Sequence, residues 1–451
     1  MRRTIDLLEG AIFPALWRLA APLMMTALIE MAYSLTDMMW IGRIDSNAVA
    51  AIGTVGFLLW IGHAVAIIPR TGLGVLTSQR MGREDEEGAR RAIEGGIQLG
   101  IALSVLYIAL TELALKPFVY FFQLGEAVNG YAVQYGHIVL PGLLFMTLNI
   151  LYSQAYQSIG NSVTPFRINA IGLVVNMFLD PLLIFGVGVL PPLGVSGAAL
   201  ATVFAQAVVF ALFLTASKRA VPAIRSIRLR RPVDGALWRR MLGLGVPVFL
   251  LQSVHATVSL ILNRFIAVYG ATAVAAASIG AQLESVSWMT AEGFSVAITA
   301  MIGQNYGAQN EKRVKEASTK GLVSMLFVGV GALLLLIGFR TSLFRIFLPG
   351  DAQGILLGAQ YLLIFGLSQP FLTLEISASA CFNGVGRTRP PSAISALLNL
   401  LRIPGALLLM PSFGVLGIWA AMSFSTVAKG TLIVLFWQRC RKNLAIRQQT
   451  F

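Results

Sequence analysis

Long apolar stretches alternate with short polar connections along the whole chain. The stretches are about 20 residues long, which is the length that an α-helix needs to cross a hydrocarbon layer of roughly 30 Å. Backbone N–H and C=O groups cannot be left unpaired in lipid, so runs of this length predict transmembrane helices. We predict twelve, at approximately 13–41, 48–72, 92–115, 130–155, 166–187, 195–217, 243–266, 273–299, 320–339, 355–382, 392–410 and 414–437.

The composition supports lipid as the solvent of this chain. Of its 451 residues, 56% are hydrophobic and only 12% are charged, and the mean hydropathy is +0.75. A soluble surface of this size would need more charged side chains. We therefore expect an all-α integral membrane protein in contact with the bilayer.

The two halves of the chain repeat each other. Three residues of the first half recur 225 positions later, namely Pro22 as Pro247, Gln79 as Gln304 and Gly82 as Gly307. Six spans per half is an even number, which predicts two six-helix bundles related by a pseudo-twofold axis along the membrane normal. Repeats of this kind are typical of secondary transporters. We expect an N-terminal lobe at 1–217, a basic linker at 218–240 and a C-terminal lobe at 241–451.

Basic residues are concentrated in alternate connections, and the net charge is +14. By the positive-inside rule, both termini are predicted to be cytoplasmic, in a cell inner membrane. Eight Lys or Arg side chains lie within 218–240. A topology signal explains them, so we expect no nucleic-acid partner. Residues 227–241 form either an amphipathic helix, with Leu237, Trp238 and Met241 against lipid, or a polar loop.

Two carboxylates in the first half lie within apolar spans. Asp37 is in span 1 with Tyr33 one turn away, and Asp180 is in span 5 with Asn176 one turn away. Two acids in a pocket of low dielectric cannot both stay ionised cheaply, so we expect one to take up a proton or both to bind Na⁺. The alternative is that each Asp only pairs with a polar neighbour inside the bundle.

The second half lacks these carboxylates but has membrane charges of its own. They are Glu284 and Glu292 in span 8, Glu375 in span 10, Arg402 in span 11 and Lys429 in span 12. We consider two interpretations of this set. The charges form a compensated ion-pair network, or they form a second cation or substrate site, where acidic side chains would suit a cationic substrate.

Several motifs together resemble the multidrug and toxic compound extrusion (MATE) family. They are "SLTDMMWIG" at the end of span 1, "GNSVTPF" before span 5, "NMFLDPLLIFG" in span 5 and "GVSGAALAT" at the start of span 6. The resemblance covers essentially the whole chain, and the paired Asp37 and Asp180 resemble the DinF-type branch. It implies a cation site made of Asp37, Asn176, Asp180 and Thr202, with Tyr33 nearby. It also implies export of amphipathic or cationic drug-like compounds in exchange for H⁺ or Na⁺.

Candidate walls of a substrate cavity are adaptable apolar and aromatic side chains. Met31 and Met38 in span 1 can repack around different ligands, and Tyr152 in span 4 and Gln157 just after it add aromatic and polar contacts. Packing against lipid or protein is the alternative for each of them.

Other classes of membrane protein fit the sequence less well. No Gly-Lys dipeptide occurs, so no P-loop for ATP exists. We predict no cofactor, no catalytic residues and no metal beyond a coupling Na⁺ at Asp37, Asn176 and Asp180. An intramembrane enzyme would need a nucleophile with a base, or HExxH-type metal ligands, and neither appears. A lipid-linked oligosaccharide or lipid flippase of the same superfamily is the nearest rival. We expect the transporter to be a monomer.

Overall fold

The fold was analysed in a computed structural model of the 451-residue chain. The structure describes residues 4–41, 43, 46–123, 125–186, 191–225 and 227–443, without the side chains at positions 30, 33, 34, 35, 37, 38 and 46.

Fifteen α-helices make up almost all of the described chain. They are α1 (Ile12–Ile41), α2 (Ser46–Gly82), α3 (Glu86–Phe121), α4 (Glu126–Ser158), α5 (Val163–Phe185), α6 (Gly194–Ser217), α7 (Pro222–Arg225), α8 (Gly235–Ala267), α9 (Ala271–Gly307), α10 (Glu311–Gly338), α11 (Arg340–Phe347), α12 (Ala352–Gly384), α13 (Arg389–Leu400), α14 (Arg402–Phe413) and α15 (Val415–Lys442).

The predicted all-α membrane fold with twelve transmembrane helices is confirmed. Within the described residues, eleven segments are long and apolar enough to cross a membrane, and α13 and α14 together make one of them. The remaining span is α9, whose 37 residues include Gln282, Glu284 and Glu292 and are therefore more polar. Large apolar side chains such as Leu113 and Phe121, 81% and 80% exposed, lie on the outside, as lipid requires.

The eleventh predicted span is interrupted by a turn at Leu401. Pro404 has no N–H group, so it cannot donate the usual helical hydrogen bond to the carbonyl of Leu400, four residues earlier. The next carbonyl along, that of Leu401, accepts from the Gly405 N–H group at 3.1 Å. The interruption places Arg402 at the first position of α14, in the middle of the span.

Backbone contacts divide the chain into two compact units. The first contains Met1–Ile5 and Met25–Gly245, and the second contains Asp6–Met24 and Val246–Phe451. Both α1 and α8 therefore contribute one part to each unit.

The basic linker is less helical than the amphipathic helix at 227–241 that was one of the two expectations for it. Among the described residues between Lys218 and Asp234, only the four of α7 are helical, and α8 begins at Gly235. Met241 is fully buried beside Val75, Leu76 and Ala92, and Leu237 and Trp238 pack against the same cluster. Their expected placement against lipid is wrong, because Met241 lies in the interior of the first unit and the half-buried Leu237 and Trp238 pack against the same cluster.

The irregular part of the linker is fixed to α3 by hydrogen bonds. The buried carboxylate of Glu94 accepts from the backbone N–H of Arg228 at 2.7 Å. The Gln98 amide donates to the carbonyls of Leu229 and Arg231 at 3.0 and 2.9 Å. These side chains give the linker backbone partners that a loop otherwise finds only in water.

Close packing in the second unit depends on glycines at helix crossings. A Cβ atom added to Gly430 of α15 would lie 2.3 Å from the Phe371 carbonyl oxygen of α12. A Cβ atom added to Gly329 of α10 would lie 2.5 Å from the Cα atom of Pro370, which is also in α12. The missing side chains let α10 and α15 approach α12 closely, as small residues do in membrane bundles. This packing brings Lys429, next to Gly430, towards α12.

Candidate functional site

The buried acid of the first unit lies on α5. Asp180 is 1% exposed and Asn176 is 0% exposed, and the Asn176 Nδ2 group donates to Asp180 Oδ1 at 3.2 Å. Four residues of helix place the two side chains on one face, as the sequence predicted. Asn176 Oδ1 is buried and has no hydrogen-bond partner among the described residues. The arrangement is a buried acid with a neutral amide as a hydrogen-bond donor one helical turn away.

The other predicted members of this site are only partly described. The Thr202 hydroxyl is half-buried on α6, which packs against α5, and it donates to the Ala198 carbonyl at 3.0 Å. Asp37 and Tyr33 lie on the helical backbone of α1, but their side chains are outside the described residues. Their contact with Asp180 stays a prediction.

The predicted cavity walls are mostly inside the protein. Tyr152 is 4% exposed and stacks on Phe213 with a centroid distance of 6.0 Å, so it belongs to the core of the first unit. Gln157 is 5% exposed, and its Oε1 atom has no hydrogen-bond partner in the described part of the chain. Met31 is half-buried, and the Met38 side chain lies outside the description.

In the second unit, the charged side chains of spans 10 and 12 meet. Lys429 Nζ on α15 lies 3.0 Å from Glu375 Oε2 on α12, and both residues are less than 10% exposed. The other oxygen of Glu375 accepts from the Ser395 hydroxyl of α13 at 2.7 Å. This part of the predicted set is a compensated ion pair.

Arg402 and Glu284 have different partners. Arg402, 5% exposed, donates through Nε to the Ser425 hydroxyl at 3.2 Å and through Nη2 to the Thr426 hydroxyl at 3.0 Å. Glu284 Oε2 on α9 accepts from the Gln369 amide of α12 at 3.1 Å. The fifth predicted residue, Glu292, is half-buried two turns further along α9.

Two contacts between polar side chains within the spans of the first unit were not predicted from the sequence. Arg70, which follows Pro69 at the end of the predicted second span, donates through Nε to the Gln154 Oε1 atom of α4 at 3.1 Å. His137 Nδ1 of α4 lies 2.7 Å from Glu112 Oε2 of α3. An ionisable residue inside an apolar run was the available signal for Arg70 and Glu112, but partners on other helices are not visible in a single sequence.

The acidic connection between spans 2 and 3 begins a helix. Asp85 accepts from the Gly88 N–H at 2.8 Å and pairs with Arg80 at 2.5 Å. Partial burial acts to raise the pKa of this carboxyl, but the Gly88 hydrogen bond and the Arg80 guanidinium outweigh it and lower the pKa below its ordinary value. Asp85 therefore stays ionised and caps α3, which satisfies a free N–H group of the first turn.

The helices and their buried charges define a class of protein. Twelve transmembrane helices with several ionisable side chains in their interior are typical of a membrane transporter. Residues 22–182 and 247–408 match the MatE family. The chain therefore belongs to the MatE family.

Known proteins of similar sequence and fold agree with this assignment. A probable multidrug resistance protein NorM from Thermotoga maritima is 29% identical, with 93% of this chain and 91% of that protein covered. A probable multidrug resistance protein NorM from Pseudomonas putida is 31% identical, with 76% and 72% covered. A crystal structure of MATE in the bent conformation superposes with a TM-score of 0.90 at 20% identity, covering 98% of both chains.

Proposed function

We propose that this multidrug efflux transporter expels amphipathic, cationic compounds in exchange for H⁺ or Na⁺, with the exchange taking place at Asp180. The observation that carries the proposal is the burial of the Asp180 carboxyl beside Asn176, at 1% and 0% exposure. The coupling site also includes Asp37, Thr202 and Tyr33, as the family resemblance implies.

Burial makes the charge state of Asp180 depend on a bound cation. An ionised carboxylate in a medium of low dielectric is costly unless a proton, a metal cation or a positive side chain neutralises it. The Asn176 amide stabilises an ionised oxygen by one hydrogen bond, and this is worth a few kcal/mol at most. Burial of Asp180 therefore raises the affinity of the site for a proton or Na⁺. When this cation leaves, the ionised carboxylate that remains is energetically unfavourable.

This dependence supplies the coupling. An exporter driven by an ion gradient needs a site whose occupant is exchanged when the transporter changes its exposure from one side of the membrane to the other. A carboxyl that is stable only when neutralised holds the cation during one half of the cycle. Binding of a cationic compound then competes electrostatically with the same cation.

The finer organisation follows from the sequence. We place the protein in the cell inner membrane as a monomer of the DinF-like branch, with cytoplasmic termini and basic connections. The lobes comprise residues 1–217 and 241–451, joined by the linker at 218–240. The Lys429–Glu375 pair supports a structural role for part of the C-terminal charge set, since the two charges compensate each other.

Transport by purified protein in proteoliposomes tests the proposal. A fluorescent cationic dye such as rhodamine 123 is offered under an imposed proton gradient, a sodium gradient or neither. We expect uptake with one gradient only, and its loss in Asp180→Asn. Asp234→Asn is the matched control, because Asp234 is exposed and caps α8, where Asn also serves as a cap. Full gradient-driven transport by Asp180→Asn would refute the coupling role.

A further inference from the structure

The start of α10 and the end of α15 enclose a basic cavity in the second unit. Its volume is about 600 Å³. It is lined by Lys315, Glu316, Thr319 and Lys320 of α10 and by Arg441 and Lys442 of α15. The Arg441 Nη1 group donates to the Thr319 hydroxyl at 2.8 Å, so side chains of the two helices meet here. Glu316, Thr319 and Lys442 are exposed, and the cavity therefore opens at the protein surface.

The positive charge of this cavity is only partly balanced. Lys315 and Lys320 each have a glutamate one helical turn earlier, with N–O distances of 3.5 and 2.6 Å. Arg441 is bound by a neutral hydroxyl instead, and neither Arg441 nor Lys442 forms an ion pair with the described part of the chain. A guanidinium has five N–H donors in a planar fork that matches phosphate. Two cations without an acidic partner therefore favour an anionic ligand.

The internal repeat shows that the charge at this place differs between the two units. The helix α3 begins at Glu86 and α10 begins at Glu311, which is 225 positions later and equals the offset of the repeat. Thr319 is therefore the counterpart of Glu94, whose carboxylate accepts from the Arg228 backbone N–H at 2.7 Å. An acid holds the basic linker in the first unit, whereas a hydroxyl and cations lie at the corresponding place in the second. The second unit thus suits an anion here, and not a basic peptide.

An exposed apolar surface continues from the cavity along both helices. On α10, the exposed side chains of Val323 and Phe327 lie about one and two turns beyond Thr319, on the same face of the helix. On α15, the exposed Leu435 lies two turns before Lys442. Both helices are long and apolar enough to cross the membrane, so this apolar surface faces hydrocarbon. A ligand that fits the cavity and the surface together has a negative head and an apolar tail.

We propose that this cavity binds the phosphate headgroup of an anionic phospholipid from the leaflet that borders the end of α15. Arg441 and Lys442 bind the phosphate, and the acyl chains lie along the apolar surface of α10 and α15. Basic pockets between transmembrane helices, at the level of the headgroups, are suited to anionic lipids. A free phosphate would fill the cavity only, whereas a lipid also covers the apolar surface. The site is separate from the proposed coupling site at Asp180.

Native mass spectrometry of the full-length protein tests the proposal. Purified protein in detergent is titrated with phosphatidylglycerol or with phosphatidylcholine of the same acyl chains, and the bound lipid is counted. We expect wild type to bind one phosphatidylglycerol about tenfold or more tightly than the zwitterionic lipid, because two cations face its phosphate. Arg441→Gln/Lys442→Gln is expected to lose this preference, since both of these cations are then neutral.

Two further variants separate this cavity from net charge. Lys218→Gln/Arg219→Gln is the matched control, because it removes two exposed cations at the end of α6, the last span of the first half, and is expected to keep the preference. Thr319→Glu introduces the acid that the first unit has at this place. The new carboxylate pairs with Arg441, so the preference is expected to fall although both cations remain. Thermal unfolding of each variant shows that it is folded.

Inorganic phosphate distinguishes a lipid site from a site for a free anion. We expect phosphatidylglycerol to stay bound in an excess of inorganic phosphate, because phosphate lacks the apolar part. Its displacement by phosphate at equal concentration would overturn the proposal in favour of a free anion. Equal affinities of wild type for the two lipids would also overturn it. So would an unchanged preference in Arg441→Gln/Lys442→Gln, or a loss of the same size in Lys218→Gln/Arg219→Gln.

Discussion

Removing one member of the Lys429–Glu375 pair is expected to destabilise the second unit strongly. At 3.0 Å and an effective dielectric constant of about 20, the two charges attract each other by about 5 kcal/mol. Loss of water around both groups offsets much of this attraction in the intact pair. In Lys429→Met the desolvation of Glu375 remains while the attraction is lost, and a cost of about 3–5 kcal/mol follows.

A double-mutant cycle measures this effect. Lys429→Met, Glu375→Gln and the double variant are compared with wild type by thermal unfolding in one detergent. Both single variants are expected to lower the apparent Tm markedly, and the double variant is expected to recover most of the loss, because no buried charge is then left uncompensated. Lys320→Met is the matched control, since Lys320 and Glu316 form a solvent-exposed pair, and such pairs contribute little to stability.

The pattern of the four variants decides the role of the pair. Single variants no less stable than Lys320→Met would refute the reasoning from burial. A double variant that is as unstable as the sum of both single variants would show that the pair is not the source of the loss. Transport by a well-folded double variant supports a structural role. Complete loss of transport in this variant would favour the alternative that these charges bind the ion or the substrate.

Three further predictions concern packing and pH. Gly430→Ala is expected to destabilise the protein by about 1–3 kcal/mol, because the new Cβ atom meets a carbonyl of α12. Gly331→Ala is the control and is expected to be near neutral, because its Cβ atom enters open space. Thermal unfolding compares the two variants. Glu94→Gln should expose the linker around Arg228 to trypsin, because the buried charge-assisted acceptor is weakened, and unchanged cleavage contradicts this. Asp85 has a lowered pKa, so its stabilising effect is present above the ordinary value of 3.8 and is lost as the pH falls through the lower folded-state value. Hydrogen exchange at the start of α3 should therefore lose protection in acid in wild type but not in Asp85→Asn.

Local spacing was the part of the site that the sequence predicted well. Asn176 and Asp180 are four residues apart in one helix, so their contact follows from helix geometry alone, and the hydrogen bond at 3.2 Å confirms it. The helices were predictable for a similar reason, because length and hydropathy decide whether a segment can span a bilayer.

Contacts between helices were not predictable in the same way. Lys429 and Glu375 lie 54 positions apart, and their meeting depends on how Gly430 lets α15 approach α12. The sequence also placed Tyr152 among candidate cavity walls, where the structure has it packed on Phe213. In both cases, packing decides which face of a helix turns inward, and a single apolar span does not encode that choice in its own periodicity. The approach of Asp37 to Asp180 stays a prediction.

The central claim is that substrate binding displaces a neutralising cation from Asp180. Infrared difference spectroscopy of protein with ¹³C-labelled aspartate measures this directly, with rhodamine 123 added to wild type and to Asp180→Asn. The account predicts that substrate replaces a protonated or sodium-bound carboxyl band by that of a free carboxylate, and that this change is absent in the variant. An Asp180 band that is the same with and without substrate, at every pH and sodium concentration, would contradict it.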